Sequence, residues 1–425
     1  MLMPTNVHVL PGKGKMSWQG RKPTGCMLAL AMVVSFTSCS SLTDVNAPDV
    51  VQPAALENPT GAMALWAGAL SRTTTAFAQT VVSSGELSDE LISVTAAGSD
   101  ADRRRLLEPA ITGLYPYTAM HAAHGAVLQA IGVAQRVAPQ PASRTGQLFA
   151  LLGYIELSFA EQVCSGVPLG AIHDGLDVPG QPLTSAEMYA RAIADFDSSL
   201  VYTVDSARIG NFARVGRGRA MLGVGQYANA RTAVAAVPTA YVYRTENSAT
   251  VQLNSVYDAI NNGKRSSVAD REGLNGLNFR TASDPRVATQ LVGKGTDGTS
   301  DLYAFTMYTS LASPIVVASG TEARLIEAEA LLNAGDAAGA LALLNTLRTT
   351  VTGLAPLTLQ PDNASRVDQL FRERAFWLFL TGHRQGDLRR LVRQYGRARE
   401  AVFPTGAYAK GGATYGTDVT FAPEF

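Results

Sequence analysis

Four groups of residues have the type and spacing to do chemistry. His121-Ala-Ala-His124 would put two imidazoles one helical turn apart, as a metal site needs, but it lacks the glutamate of a His-Glu-x-x-His motif and no third ligand is evident nearby. Glu373, His383, Arg384 and Asp387 are a titratable cluster of the kind acid–base catalysis uses. Two acids set against two bases read instead as an ion-paired bracket closing a helical hairpin. Gly293-Lys-Gly-Thr-Asp-Gly298 has the glycines of a phosphate loop without its Gly-Lys-Ser/Thr ending or a following helix, so it reads as a plain loop. Carboxylates are frequent, yet none forms a pair whose separation can be read as a hydrolase site. The expectation is a protein that is not an enzyme, with no cofactor and no metal.

Binding is the chemistry that remains. A sugar or peptide site wants planar faces for stacking and loop polar groups for hydroxyls or amides. Tyr115, Tyr117, Tyr241, Tyr243, Tyr303 and Tyr308 lie in or beside polar loops and are the candidate ligand contacts. Trp66 and Trp377 fall on helical patterns and read as core.

The amino terminus reads as an address. Lys13, Lys15, Arg21 and Lys22 precede the apolar run 26–36, too short to span a bilayer but long enough for a signal core. Phe36-Thr37-Ser38-Cys39 then resembles a lipobox, although Phe36 stands where an aliphatic residue is usual. Residues 1–38 are therefore expected to be a signal peptide and Cys39 the acylated anchor. Met16 and Met27 are alternative starts, but Met27 would discard the basic region. Of the three cysteines only Cys39 and Cys164 would remain, so stability must come from packing rather than a disulfide.

The elements that must position the candidates follow from periodicity. Residues 39–59 are rich in Ser, Asp, Asn and Pro and read as a tether. Apolar and small residues recur at helical intervals over 61–82, 117–137 and 145–163, the last two expected to pack antiparallel. Residues 83–102, with Glu86, Asp89, Glu90 and Asp100, read as a long polar loop. Thr184 or Ser185, followed by Glu187, makes a helix start ahead of a helix over 188–200. Gly225-Gln-Tyr-Ala-Asn-Ala230 is echoed by Gly335-Asp-Ala-Ala-Gly-Ala340, with Gly reversing the chain and Ala letting two helices approach. The fold class is thus mainly α, built of tetratricopeptide-like helical hairpins. A loop-rich insertion at about 238–319, with short strands around 240–243 and 302–308, separates the two echoes and is where function is expected. Residues 60–425 are taken as one domain.

Composition limits the partners. The 425-residue chain is 46% hydrophobic and balances 35 basic against 35 acidic residues, so no global field draws it to nucleic acid or to an anionic bilayer.

Two stretches then resemble the SusD/RagB family. Thr321 to Asp336 followed by Ala337 to Arg348 looks like its signature helix pair. The run from Arg372 through Gly382-His383-Arg384 to Asp387-Leu388-Arg389-Arg390 is similar to its second hallmark. Asp284-Pro285-Arg286, the helix exit Gly166-Val167-Pro168-Leu169 and the lipobox fall in the same order. The resemblance implies a SusD-like helical fold and a lipoprotein on the outer-membrane surface. It further implies capture of oligosaccharide, or of peptide, for delivery into a SusC-like TonB-dependent transporter. The hairpin echo alone supports an alternative, a periplasmic helical-repeat scaffold lipoprotein with no small ligand.

Overall fold

The computed structural model describes residues 53–104, 115–163, 165–173, 176–178, 180–411 and 414–416. The expected signal peptide, Cys39, most of the tether and Cys164 lie outside these residues.

Asn58 starts the fold. Its side chain accepts from the Gly61 N–H at 2.9 Å and Pro59 follows at the first helical position, so α1 runs Pro59–Leu87. A 3-10 turn at Pro53–Leu56 precedes it, so regular structure begins inside the stretch expected to be tether. The polar loop expected from residue 83 is corrected by the structure. α1 continues to Leu87 because Ser84, Gly85 and Leu87 are buried, and it stops where both the N–H and the hydroxyl of Ser88 bond to the Ser84 carbonyl. β1 (Leu91–Ser93) and the short α2 (Asp100–Arg103) follow.

α3 (Tyr115–Val137) and α4 (Ala142–Gln162) pack on one another, their four-residue connection allowing only a reversal. β2 (Val167–Pro168), β3 (Ala171–His173), β4 (Leu176–Val178) and β5 (Pro182–Leu183) pair antiparallel as β2 with β5 and β3 with β4. Thr184 and Glu187 then form a complete capping box at the head of α5 (Ser185–Val201). α6 (Ala207–Gly223) and α7 (Tyr227–Val234) are joined through Gly225 at φ +75°. Gly218 has no side chain to keep them apart; a Cβ there would meet Val234 at 2.5 Å.

The insertion opens with β6 (Val242–Arg244), followed by α8 (Ser255–Tyr257) running into a π-turn at Asp258–Asn262. β7 (Ser266–Val268) pairs with β1, β8 (Thr289–Lys294) with β9 (Asp301–Phe305), and β10 (Val316–Ser319) returns antiparallel to β6. The sequence Gly293–Gly298 is the bulge and turn of the β8–β9 hairpin.

The second echo is α9 (Gly320–Asn333) and α10 (Ala337–Arg348), turned at Gly335 with φ +88°. Ala230 and Ala340, the last residue of each echo, are buried, whereas Ala228 and Ala338 are exposed, so one alanine per turn sits at the close approach. α11 (Asn363–Trp377), α12 (Arg384–Arg393) and the short α13 (Arg399–Val402) complete the helices of the described residues. The mainly helical fold with helix-turn-helix units and short insertion strands is as expected. Among the described residues no helix is long and apolar enough to cross a membrane.

Three apolar clusters hold these elements. One joins α1 to α3, α4, α5, α6, α7 and the start of α9. A second packs the insertion, through Val256, Phe279, Leu302 and Phe305, against Val81 of α1 and Phe376 and Phe379 beyond it. The third fills the space among α9, α10, α11 and α12. α1 therefore serves both the helical body and the insertion, and a groove opens along it between them.

Candidate functional site

The groove is a cleft of about 690 Å³. One wall is a ridge of α1, where Gln79, Val82, Ser83 and Glu86 recur at i, i+3, i+4 and i+7 and so share a face. The opposite wall is Ser255, Asp258 and Ala259 at α8 and its π-turn, and Arg265 and Ser266 close one end at β7. Ser93, Thr95 and Gly98 through Ala101 form the floor. Glu86 bridges floor and insertion: the Ser266 hydroxyl donates to Oε1 at 2.6 Å and the Ser99 hydroxyl to Oε2 at 2.9 Å. Burial pushes its carboxyl up against the pull of those hydroxyls. Gln79 Oε1 is buried without a partner, and among the described residues the Ser83 and Ser255 hydroxyls have none either. Three side chains are thus uncommitted around a concave surface rich in hydroxyls, the arrangement a polar ligand requires.

The floor is held from behind. Arg104, fully buried at φ +54°, donates to the carbonyls of Leu87, Ser88 and Asp102 and to Glu272 Oε1 at 3.0 Å. It thereby satisfies the end of α1. Asp102 accepts from the Ser93 N–H at 3.0 Å and from the Tyr408 hydroxyl at 2.6 Å, and the Tyr415 ring lies 4.6 Å from the Arg104 guanidinium. Burial raises the carboxyls of both Asp102 and Glu272. The carboxy-terminal segment is in this way strapped across the back of the cleft.

Of the six candidate tyrosines, none of the five whose side chains are described is among the residues that line it. Tyr115 heads α3, with its side chain outside the described residues. Tyr117 is half-buried edge-on to His121 and Phe159. Tyr241 and Tyr243 lie together at β6: Tyr241 donates to the Arg208 carbonyl, while Tyr243 is buried, stacked 3.7 Å from Phe212 and bonded to Gln147. Tyr303 carries the Arg280 guanidinium 3.9 Å above its ring, and Tyr308 donates to the Leu380 carbonyl at 2.9 Å. Among the described side chains the structure brings Tyr241 together with Tyr243. Gln79, Ser83, Glu86, Ser255, Asp258 and Ser266, which do line the cleft, were not candidates. The polar stripe Gln79-x-x-x-Ser83-x-x-Glu86 along one helix face is the signal that points to them.

The titratable cluster is internal, but it is more than one bracket. Asp387 receives Arg374 at 2.8 and 2.9 Å and Arg390 at 2.8 Å; burial alone would raise its carboxyl, and the two guanidiniums hold it well below the usual range. Arg390 also binds Glu329. Arg384 reaches Asp89 just after α1 at 2.6 Å, and His383 meets Glu322 at 2.9 Å. Glu373 binds Arg286 of the insertion at 2.7 Å and Arg348 at 2.6 Å. The four residues therefore tie α11 and α12 to α1, α9, α10 and the insertion. His124 is given to Glu156 at 3.2 Å and burial lowers it to about 4, while the His121 ring packs on Phe159. Among the described residues no three His, Cys, Asp or Glu side chains group as a metal site.

The sequence matches no family model and no curated protein. Solved structures do match. A SusD superfamily protein of Bacteroides fragilis aligns over 84% of this chain and 93% of its own, at 16% identity and TM-score 0.61. One from Bacteroides thetaiotaomicron aligns over 78% and 89%, at 14% identity and TM-score 0.61. A SusD-like carbohydrate-binding protein of Bacteroides vulgatus aligns over 78% and 83%, at 14% identity and TM-score 0.58. The helical body, the clamped insertion and these alignments agree: the chain has the SusD-like fold.

Proposed function

We propose that this protein is a lipoprotein of the outer-membrane surface, anchored through Cys39, that captures oligosaccharide and passes it to a SusC-like TonB-dependent transporter. The observation that carries the reading is the hydroxyl-lined cleft between α1 and the insertion, set in a fold shared with a carbohydrate-binding protein. Peptide is the alternative ligand, since uncommitted Gln and Ser side chains serve amides as well as hydroxyls. The internal ion pairs of α11 and α12 leave no free acid–base pair there, which supports binding without catalysis.

Purification of the tagged protein from detergent-solubilised outer membranes of its own host, beside a Cys39→Ala control, tests the proposal. The expected result is a large TonB-dependent barrel in stoichiometric amount with the wild type, and loss of the membrane-bound pool in the control. Recovery of periplasmic assembly proteins alone would replace this reading with the scaffold one.

A further inference from the structure

We infer that the cleft beside α1 takes a glycan bearing an unblocked, protonated amine in preference to neutral or acidic sugars; this rests on the glycan-capture reading above. The charge of the cleft is one-sided. Among the described lining residues Glu86, Asp100 and Asp258 stand against one cation, Arg265, and that guanidinium is already bonded to Asp258 at 3.2 Å. Among the described residues Glu86 and Asp100 have no ion-pair partner.

The uncharged groups point the same way. Gln79 Oε1 is a buried acceptor with no donor, and it lies on the same ridge as Glu86. Seven residues separate the two, roughly 10 Å along the helix and about the length of two sugar rings. Acceptors thus stand at both ends of the ridge, with the free hydroxyl of Ser83 between them. An ammonium offers three donors and no acceptor, so it complements this wall where a carboxylate-bearing sugar would meet like charge. No aromatic ring is among the described lining residues, so none of them stacks on the apolar face of a sugar, a contact that would bind it whatever its charge. Burial, with Asp102 behind it, pushes the Glu86 carboxyl up, while Ser266, Ser99 and Arg265 pull it down.

The test is calorimetric titration of the detergent-solubilised protein with three oligomers of equal length: β-1,4-linked glucosamine, its N-acetylated counterpart and a uronate, at mildly acidic pH where the amine is charged. The glucosamine oligomer is expected to bind at least about tenfold tighter than the acetylated one, a difference of ~1.4 kcal/mol, with no measurable uronate binding. Glu86→Gln should cost the glucosamine oligomer about tenfold more affinity than it costs the acetylated one. Asp100→Asn, at a half-buried position, should shift the preference in the same direction and serves if the Glu86 variant does not fold. Acetylated or uronate oligomers binding as tightly as glucosamine, or an unchanged preference in the folded variants, would overturn the amine assignment and leave glycan capture standing. If none of the three binds, glycan capture itself is withdrawn and the assignment falls with it.

Discussion

Asp387 lies where two guanidiniums meet, and its removal would leave Arg374 and Arg390 facing one another in a buried site. Asp387→Asn is expected to destabilise the fold by roughly 3–5 kcal/mol in chemical denaturation, the cost of stranding buried charge. Glu90 behaves oppositely. It is buried, accepts the Leu380 N–H at 3.0 Å, and burial pushes its carboxyl from 4.5 to about 8. The folded state therefore keeps a proton that the unfolded chain loses. That stabilisation is complete below pH 4.5 and disappears as the pH rises through 8. Asp195, pushed to about 8 by burial and then by Glu156, acts in the same sense. Stability measured by denaturant is expected to fall between these values, by up to ~1.4 kcal/mol per pH unit for each proton, and the double variant Glu90→Gln, Asp195→Asn should flatten the slope. An unchanged slope in that variant would discard the assignment. The pairing of Asp387 is legible in the sequence as a bracket, but Asp89 and Glu90 read as loop acids because their partners, Arg384 and Leu380, are nearly 300 residues away.

At the scale of elements, much more could be read. The capping box at Thr184, the turns at Gly225 and Gly335 and the strands at Val242–Arg244 and Asp301–Phe305 all follow from local chemistry, so the sequence carries them without help from tertiary contacts. The end of α1 was misjudged for the converse reason. Its last turn is polar, and only burial of Gly85 against Leu91 and the hydroxyl bonds of Ser84 and Ser88 keep it helical. The cleft wall was lost with it, because a ridge ending at Glu86 cannot be recognised if the helix is stopped at residue 82. Close helix contact supplies a test at this scale. A Cβ on Gly216 would meet the Phe196 ring at 2.3 Å and Tyr154 at 2.8 Å. Gly216→Ala is therefore expected to cost about 1–3 kcal/mol from overpacking, measured by thermal or chemical unfolding.

Across the whole molecule, the carboxy-terminal segment and the start of the fold meet behind the cleft. The Tyr408 hydroxyl reaches Asp102, and the Gly416 N–H reaches the Arg103 carbonyl at 2.8 Å. Tyr408→Phe removes the first of these and is expected to destabilise the protein by about 1–3 kcal/mol while raising hydrogen exchange over residues 93–104. Unchanged exchange there would dismiss the strap. The pairing of β6 with β10 has a consequence of another kind. Val242 lies opposite Ser319, so the chain leaves the helical body and re-enters it at one spot. Lengthening or replacing what lies between changes loop-closure entropy only slowly and need move no helix. One wall of the cleft, with Ser255, Asp258, Arg265 and Ser266, belongs to that exchangeable stretch, whereas the α1 ridge does not. Replacing that stretch would therefore renew one wall of the cleft and leave the other in place, provided that the new segment brings an arginine to the position of Arg286, whose bond to Glu373 fastens the insertion to the rest.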